Sequence, residues 1–210
     1  MEILYYDTLE STQLWLIEQI KTHSLSAPIC VVAKNQTNGI GSRANTWHTQ
    51  REALTFSFAL PLQQLPNDLP LHSSSLYFGY ILKEILTNRG SLAWLKWPND
   101  LYLDTHKIGG ILTQKVQNTL ICGIGINLKT NGDFAALEEH VHKEDIIEEM
   151  VKKNFSIYQW KQIFSKYRLE FHLNYSYSFH KGNEKIPIKE AILQEDGALL
   201  YRGEKLYNAR

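Results

Sequence analysis

The sequence predicts an α+β fold, and three observations carry that prediction. Between positions 92 and 128, four apolar strand patterns follow one another with only short turns between them, which suits an antiparallel meander. Helical periodicity is confined to a few separate stretches and does not alternate with every strand. From about position 180 the texture changes to short strands broken by Asp196-Gly197 and Arg202-Gly203 turns, as expected of a small β appendage. The 210 residues, 43% of them hydrophobic, suffice for one full core and a minor unit beside it.

Residues 3–6 read as a short strand, after which Ser11 or Thr12 caps a helix with Leu14, Ile17 and Ile20 on one face. Residues 29–33 form a β-branched strand that empties into a polar loop, 35–50. A strand is expected at 54–60, and a helix at 71–89 that stops at Gly90. Strands follow at 92–97, 101–103, 108–116 and 119–128, the last two meeting in a hairpin at Gln117-Asn118. Residues 138–153 are charged and helical, and 157–177 read as a long helix with Trp160, Ile163, Phe164, Tyr167 and Phe171 inward. Short strands at 186–193, 198–201 and 205–207 complete the chain, and Trp15, Trp94 and Trp160 read as core.

Twenty-two Lys and Arg balance twenty-two Asp and Glu, so no global field draws this protein to nucleic acid or anionic lipid, and any phosphate must be met by local cations. Cys30 and Cys122 lie in apolar runs, where a free thiol behaves as a small hydrophobe. Those thiols, the lack of a leader pattern and the lack of any apolar run near about eighteen residues predict a cytoplasmic protein with no membrane partner. His140-Val141-His142 beside Glu138 and Glu139 reads as solvated surface, not as a zinc site.

Four segments could carry chemistry. In Lys96-Trp97-Pro98-Asn99-Asp100, followed by Lys107-Ile108-Gly109-Gly110-Ile111-Leu112, two lysines could sit over an anion. Asp100 could orient a lysine or hold a metal ion, and the glycine pair leaves room for a ligand against the backbone. A carboxylate brought to about 4 Å from a phosphate is repelled by roughly 4 kcal/mol at an effective dielectric near 20, an obstacle that a lysine removes. Gly39, Gly41 and Ala44 match a dinucleotide-type glycine spacing, but no helix pattern opens after them and position 61 is proline where a ribose-binding acid would be needed. Ser11-Thr12-Gln13 offers hydroxyls and an amide at a helix N-cap, and Gly123-Ile124-Gly125-Ile126-Asn127 reads as a glycine-bearing strand.

Together these segments resemble the biotin protein ligases, whose signature reads Lys-Trp-Pro-Asn-Asp followed by Lys-x-x-Gly-Ile-Leu; both halves stand here intact. Gln36, Gly39, Gly41, Arg43 and Trp47 fall in register with the family's Gly-Arg-Gly-Arg-Arg-Gly-x-x-Trp loop, whereas Ile40 and Ser42 stand where the family carries arginines. Glu10-Ser11-Thr12-Gln13 is similar to its Asp-Ser-Thr-Asn, and Gly197-Ala198-Leu199-Leu200 to the Gly-Ala-Leu-Leu strand of its small SH3-like domain.

The resemblance implies a class II synthetase-like catalytic domain over 1–179, a mixed and mostly antiparallel sheet of about seven strands with helices on one face, and a small SH3-like β barrel over 180–210. It implies a ligase that joins biotin and MgATP into biotinyl-5'-AMP and passes the biotin to a lysine of a biotin carboxyl carrier protein, such as that of acetyl-CoA carboxylase or a related carboxylase. Implied for biotin are Ser11, Thr12, Gln13, Gln36, Gly39, Ile40, Gly41, Ser42, Trp47, Lys107, Gly110, Gly123 and Gly125; for ATP, Arg43, Trp47, Lys96, Asn99, Lys107 and Asn127. Lys107, Arg43 and Asp100 are the catalytic candidates, while the ligands of Mg²⁺ stay open. DNA binding is not expected, because the resemblance to the catalytic domain begins within about ten residues of the start; a homodimer through an exposed sheet edge is admitted. A lipoate or octanoate ligase or transferase and a non-catalytic biotin or adenylate binder are the rival readings.

Overall fold

Strand β1 (Glu2–Leu9) is followed by helix α1 (Thr12–Lys21), which crosses over so that β2 (Ile29–Gln36) lies parallel to β1. In the computed structural model, which describes residues 1–41, 46–47, 52–129, 136–137, 142–182 and 184–207, this is the one parallel pair of a seven-stranded sheet. The other members are β5 (Glu52–Pro61), β6 (Trp94–Lys96), β7 (Asp100–Leu103), β8 (His106–Val116) and β9 (Thr119–Lys129), in the order β1-β2-β5-β9-β8-β7-β6. A separate ribbon, β3 (Gly39–Ile40) with β4 (Thr46–Trp47), lies within the stretch read as a plain loop, and β2 itself runs three residues past position 33.

The period-2 alternation of the central strands sorts the two faces. Leu54, Phe56, Phe58 and Leu60 of β5, with Cys122, Ile124 and Ile126 of β9, enter the main core. Onto it pack α2 (Ser74–Thr87), α3 (Lys143–Lys152) and α4 (Trp160–Glu170). Phe58, fully buried, meets Phe78 edge-on at 5.2 Å and Phe155 stacked at 5.8 Å. Burial of such a ring stabilises by about 1.5–3 kcal/mol, with a further ~1 kcal/mol from the ring contacts. Three helices therefore keep to one face as expected, and α1 takes the other. There Leu16, Ile17 and Ile20 pack on Val31, Ala59, Val116 and Ile121 in a smaller cluster.

Several boundaries differ from expectation. Leu14 is 42% exposed, because the buried stripe of α1 runs through Gln13, Leu16, Ile17 and Ile20. Trp15 is half-buried against Tyr6, whereas Trp94 and Trp160 are buried. The long helix of 157–177 is α4 flanked by short 3-10 turns at Phe155–Ile157 and Phe171–Asn174, with all five expected inward residues buried. The 186–193 strand is two, β11 (Glu184–Pro187), paired with β10 (Ser178–Lys181), and β12 (Ile192–Leu193), separated by a 3-10 turn. β12, β13 (Leu199–Tyr201) and β14 (Glu204–Leu206) form a three-stranded sheet. Phe179, Ile186, Ile188, Leu199 and Tyr201 join the main core, so the C-terminal β sheets are packed into the same apolar interior. The stretch 138–141 lies outside the described residues, and with it His140. Among the described residues no helix is long and apolar enough to cross a membrane.

Candidate active site

On the α1 face the ladder registers line up small residues in two rows. Thr55, Gly125, Gly110 and Asp100 are successive partners across β5, β9, β8 and β7, and Ser57, Gly123 and Leu112 form the next row. The rows are about 7 Å apart along the strands. Opposite faces of the same strands carry phenylalanine, isoleucine and leucine, so the missing side-chain volume is confined to this face and leaves an open cavity over it.

The first turn of α1 closes one end. Ser11 caps the helix, its hydroxyl accepting from Leu14 N at 3.4 Å. Gln36 Oε1 accepts from Thr12 N at 2.7 Å and from Thr12 Oγ1 at 3.1 Å, and Thr12 Oγ1 in turn accepts from Ser57 Oγ at 2.9 Å. Gln13 is 3% exposed, yet neither atom of its carboxamide meets a hydrogen-bond partner among the described residues. A buried amide left so costs about 1–3 kcal/mol, which a polar ligand would recover. A Cβ on Gly123 would stand 2.6 Å from Gln13 Oε1, so glycine is what lets the amide lie on the strand.

The β3–β4 ribbon folds over the first row. A Cβ on Gly125 would come within 2.8 Å of the Trp47 ring, so the indole rests on bare backbone, and its buried Nε1 has no partner among the described residues. Gly39 stands under Trp47 and Gln36 without lining the cavity, and Ile40 and Gly41 line its rim. Ser42 and Arg43 lie outside the described residues.

At the far end Lys107 Nζ pairs with Asp100 Oδ1 at 2.6 Å, and Lys96 Nζ stands 3.9 Å from Asp100 Oδ2. Lys107 lines the cavity, whereas Lys96 and Asp100 stand behind its wall because they are the outermost pair of the row. Gly110 would accept a Cβ at ordinary distances, 3.6 Å or more, so its lack of a side chain serves the empty space and not the packing. Asn99 lines the cavity with its amide donating to Ile111 O at 2.9 Å, which ties the β6–β7 turn to β8. Asn127 is on the same face of β9 but outside the wall, its carbonyl accepting from Leu137 N at 2.8 Å. Sequence reasoning missed Ser57, Ile111, Leu112 and Ile124; Ser57, a small polar residue between Phe56 and Phe58, carried a signal in its alternation. Among the described residues no three His, Cys, Asp or Glu side chains gather to hold a metal, and Asp100 faces two lysines, so these residues do not form a dedicated Mg²⁺ site. Burial pushes the Cys30 thiol up to about 12 and Cys122 well above the usual thiol range, so both stay protonated at neutral pH.

A mixed sheet whose glycine-floored cleft ends in a buried amide on one side and a lysine on the other defines a small-molecule-binding α+β protein with a cationic end. The chain belongs to the biotin/lipoate A/B protein ligase family, whose model matches residues 5–131. It is similar to the biotin acetyl coenzyme A carboxylase synthetase of Helicobacter pylori, solved with bound biotinylated ATP, at 44% identity and a TM-score of 0.94, covering 98% of this chain and 99% of that one. A biotin protein ligase from Aquifex aeolicus, solved with biotin and ATP, shares the fold at 24% identity and a TM-score of 0.77, covering 98% of this chain and 94% of that one. The bifunctional ligase/repressor BirA of Bacillus subtilis is 31% identical over 137 residues, 60% of this chain. The chain spans about two fifths of that relative's length.

Proposed function

We propose that this protein is a biotin–protein ligase, which couples biotin to ATP and delivers it to a lysine of a biotin carboxyl carrier domain. The observation that carries the reading is the buried Gln13 carboxamide, without a hydrogen-bond partner among the described residues and set at the opposite end of the cleft from Lys107. A ureido ring offers two N–H donors and one carbonyl acceptor, which matches an amide and the neighbouring hydroxyls of Ser11 and Thr12. A fatty acyl chain would leave that amide buried and unsatisfied, which favours biotin over lipoate or octanoate.

In the first step the biotin carboxylate oxygen attacks the α-phosphorus of ATP, forming the acyl–phosphate bond as the bond to pyrophosphate breaks. Lys107 neutralises the two anions as they meet, and Asp100 holds Lys107 from behind. In the second step the acceptor amine attacks the acyl carbon, AMP leaves with the bonding electrons, and the amine's proton passes to solvent. Magnesium enters as part of the MgATP substrate. Trp47 covers the floor of the cleft, and Arg43, Lys96, Asn99 and Asn127 belong to the nucleotide side of this reading. We assign catalysis to residues 1–179, with 180–210 as the appended β unit, and place the protein in the cytoplasm, where buried thiols stay reduced. Incubation with biotin, MgATP and a purified carrier domain is expected to add one biotin to one lysine; an unmodified carrier under those conditions would contradict the reading.

A further inference from the structure

The corner of the sheet that backs the cleft is closed by a residue from beyond α4. Lys96 faces Asp100 across β6 and β7, and Trp94 faces Tyr102 two pairs further along, on the same face. Tyr177, in the segment between α4 and β10, lays its ring 5.1 Å from that of Tyr102 and 5.4 Å from that of Trp94. Its backbone is held on both sides, Tyr177 N donating to Asn174 O and Tyr177 O accepting from Ile188 N, each at 2.9 Å. Lys96 Nζ stands 5.6 Å from the ring centroids of Tyr102 and Tyr177, and its side chain is 13% exposed.

We infer that Tyr177 is a positioning residue for the reaction, acting through Lys96 and Asp100 on the direction in which Lys107 enters the cleft. The inference rests on the ligase reading above. A lysine side chain has four rotatable bonds and would leave the corner for water unless something else favours it there. Two ring faces at 5.6 Å, beside the contact with Asp100, contribute to that attraction in a partly desolvated place. Lys96 so held stands beside one oxygen of Asp100, leaving the other for Lys107 at 2.6 Å. With Lys96 gone from the corner, Asp100 can rotate, and Lys107, whose side chain is 44% exposed, can follow it out of line. Misalignment of this kind slows the chemical step more than it weakens binding of a small acid whose other end is held at Gln13.

The test compares Tyr177→Leu, Tyr177→Phe and Lys96→Met, alone and combined, in biotin-dependent pyrophosphate exchange. Tyr177→Leu is expected to lower kcat about 3- to 30-fold with little change in the KM for biotin. Tyr177→Phe, which keeps the ring, restores most of that loss. Added to Lys96→Met, Tyr177→Leu costs nothing further, because the two act in series. Should Tyr177→Leu fail to fold, ring-fluorinated phenylalanines at position 177 keep the shape while weakening the negative ring face, and kcat is expected to fall with each added fluorine. Additive losses in the double variant, an unchanged kcat in Tyr177→Leu or no response to fluorination would overturn the inference. No exchange by the unaltered protein would overturn it together with the ligase reading.

Discussion

Gln13 shows how function and packing separate at the scale of single residues. It occupies the first position of the i, i+3, i+4, i+7 stripe that Leu16, Ile17 and Ile20 continue into the core, so a polar side chain stands where an apolar one would normally go. The resemblance of its motif pointed to biotin; what the residues alone did not convey is that the amide lies on bare Gly123 backbone with no partner among the described residues, since that depends on the register of β9 against β5 and β8. The chemistry at the other end is simpler to test. Lys107→Ala is expected to cut pyrophosphate exchange by at least about a hundredfold, since it removes the charge placed where two anions meet; near-normal exchange in that variant would remove Lys107 from the mechanism. Ile40 and Ser42, where the family carries arginines, predict quick loss of the adenylate. Ser42→Arg is expected to slow its dissociation in a filter-binding chase, and an unchanged off-rate would refute that role.

At the scale of elements, the meander β6 to β9 was legible because alternation and turn residues are local, and Gln117 does take the positive φ of 52° that its tight turn needs. The start of α4 was not legible, since its cap is supplied from 92 residues away. Asp68 Oδ1 accepts from Trp160 N at 2.9 Å and Oδ2 from Lys161 N at 3.1 Å, while the local Gln159 makes no capping bond. Its end was hidden for a similar reason. Asn174, fully buried, turns its Oδ1 to Trp97 N at 2.7 Å, and the chain leaves the helix to place it there. Removing the remote cap by Asp68→Ala is expected to destabilise the fold by about 1–2 kcal/mol, read as a lower midpoint in urea at unchanged m. An unchanged midpoint would show that water replaces the carboxylate at no cost.

Over the whole molecule, the C-terminal sheets are tied to the start of α4, to the turn before α2 and to the segment that carries Lys96 and Lys107. Trp97 Nε1 donates to Gly197 O at 2.9 Å, Trp160 Nε1 to Glu195 O at 2.9 Å and Ser73 Oγ to Asp196 O at 2.6 Å. The composition change near 180 was visible in the sequence, but these long-range bonds were not, because nothing local marks a carbonyl as an acceptor for a distant indole. Burial would raise the Asp196 carboxyl, but the hydrogen bonds from Lys205 and Ala198 N, with the charges of Lys205 and His72, outweigh it and hold the group below the usual range. A carboxylate lowered in the folded state stabilises it fully above its unfolded pKa, near 4, and loses that contribution as pH falls through the folded value. Asp196→Asn is therefore expected to flatten the acid limb of the stability profile below about pH 4, and an unaltered limb would deny the tie a part in acid stability. The central claim, that the cleft activates biotin as an adenylate, is tested most directly by isotope exchange between pyrophosphate and ATP with Mg²⁺, offering biotin, lipoate and octanoate separately. The account predicts exchange with biotin alone; exchange driven by the fatty acids, or none with any of the three, would contradict it.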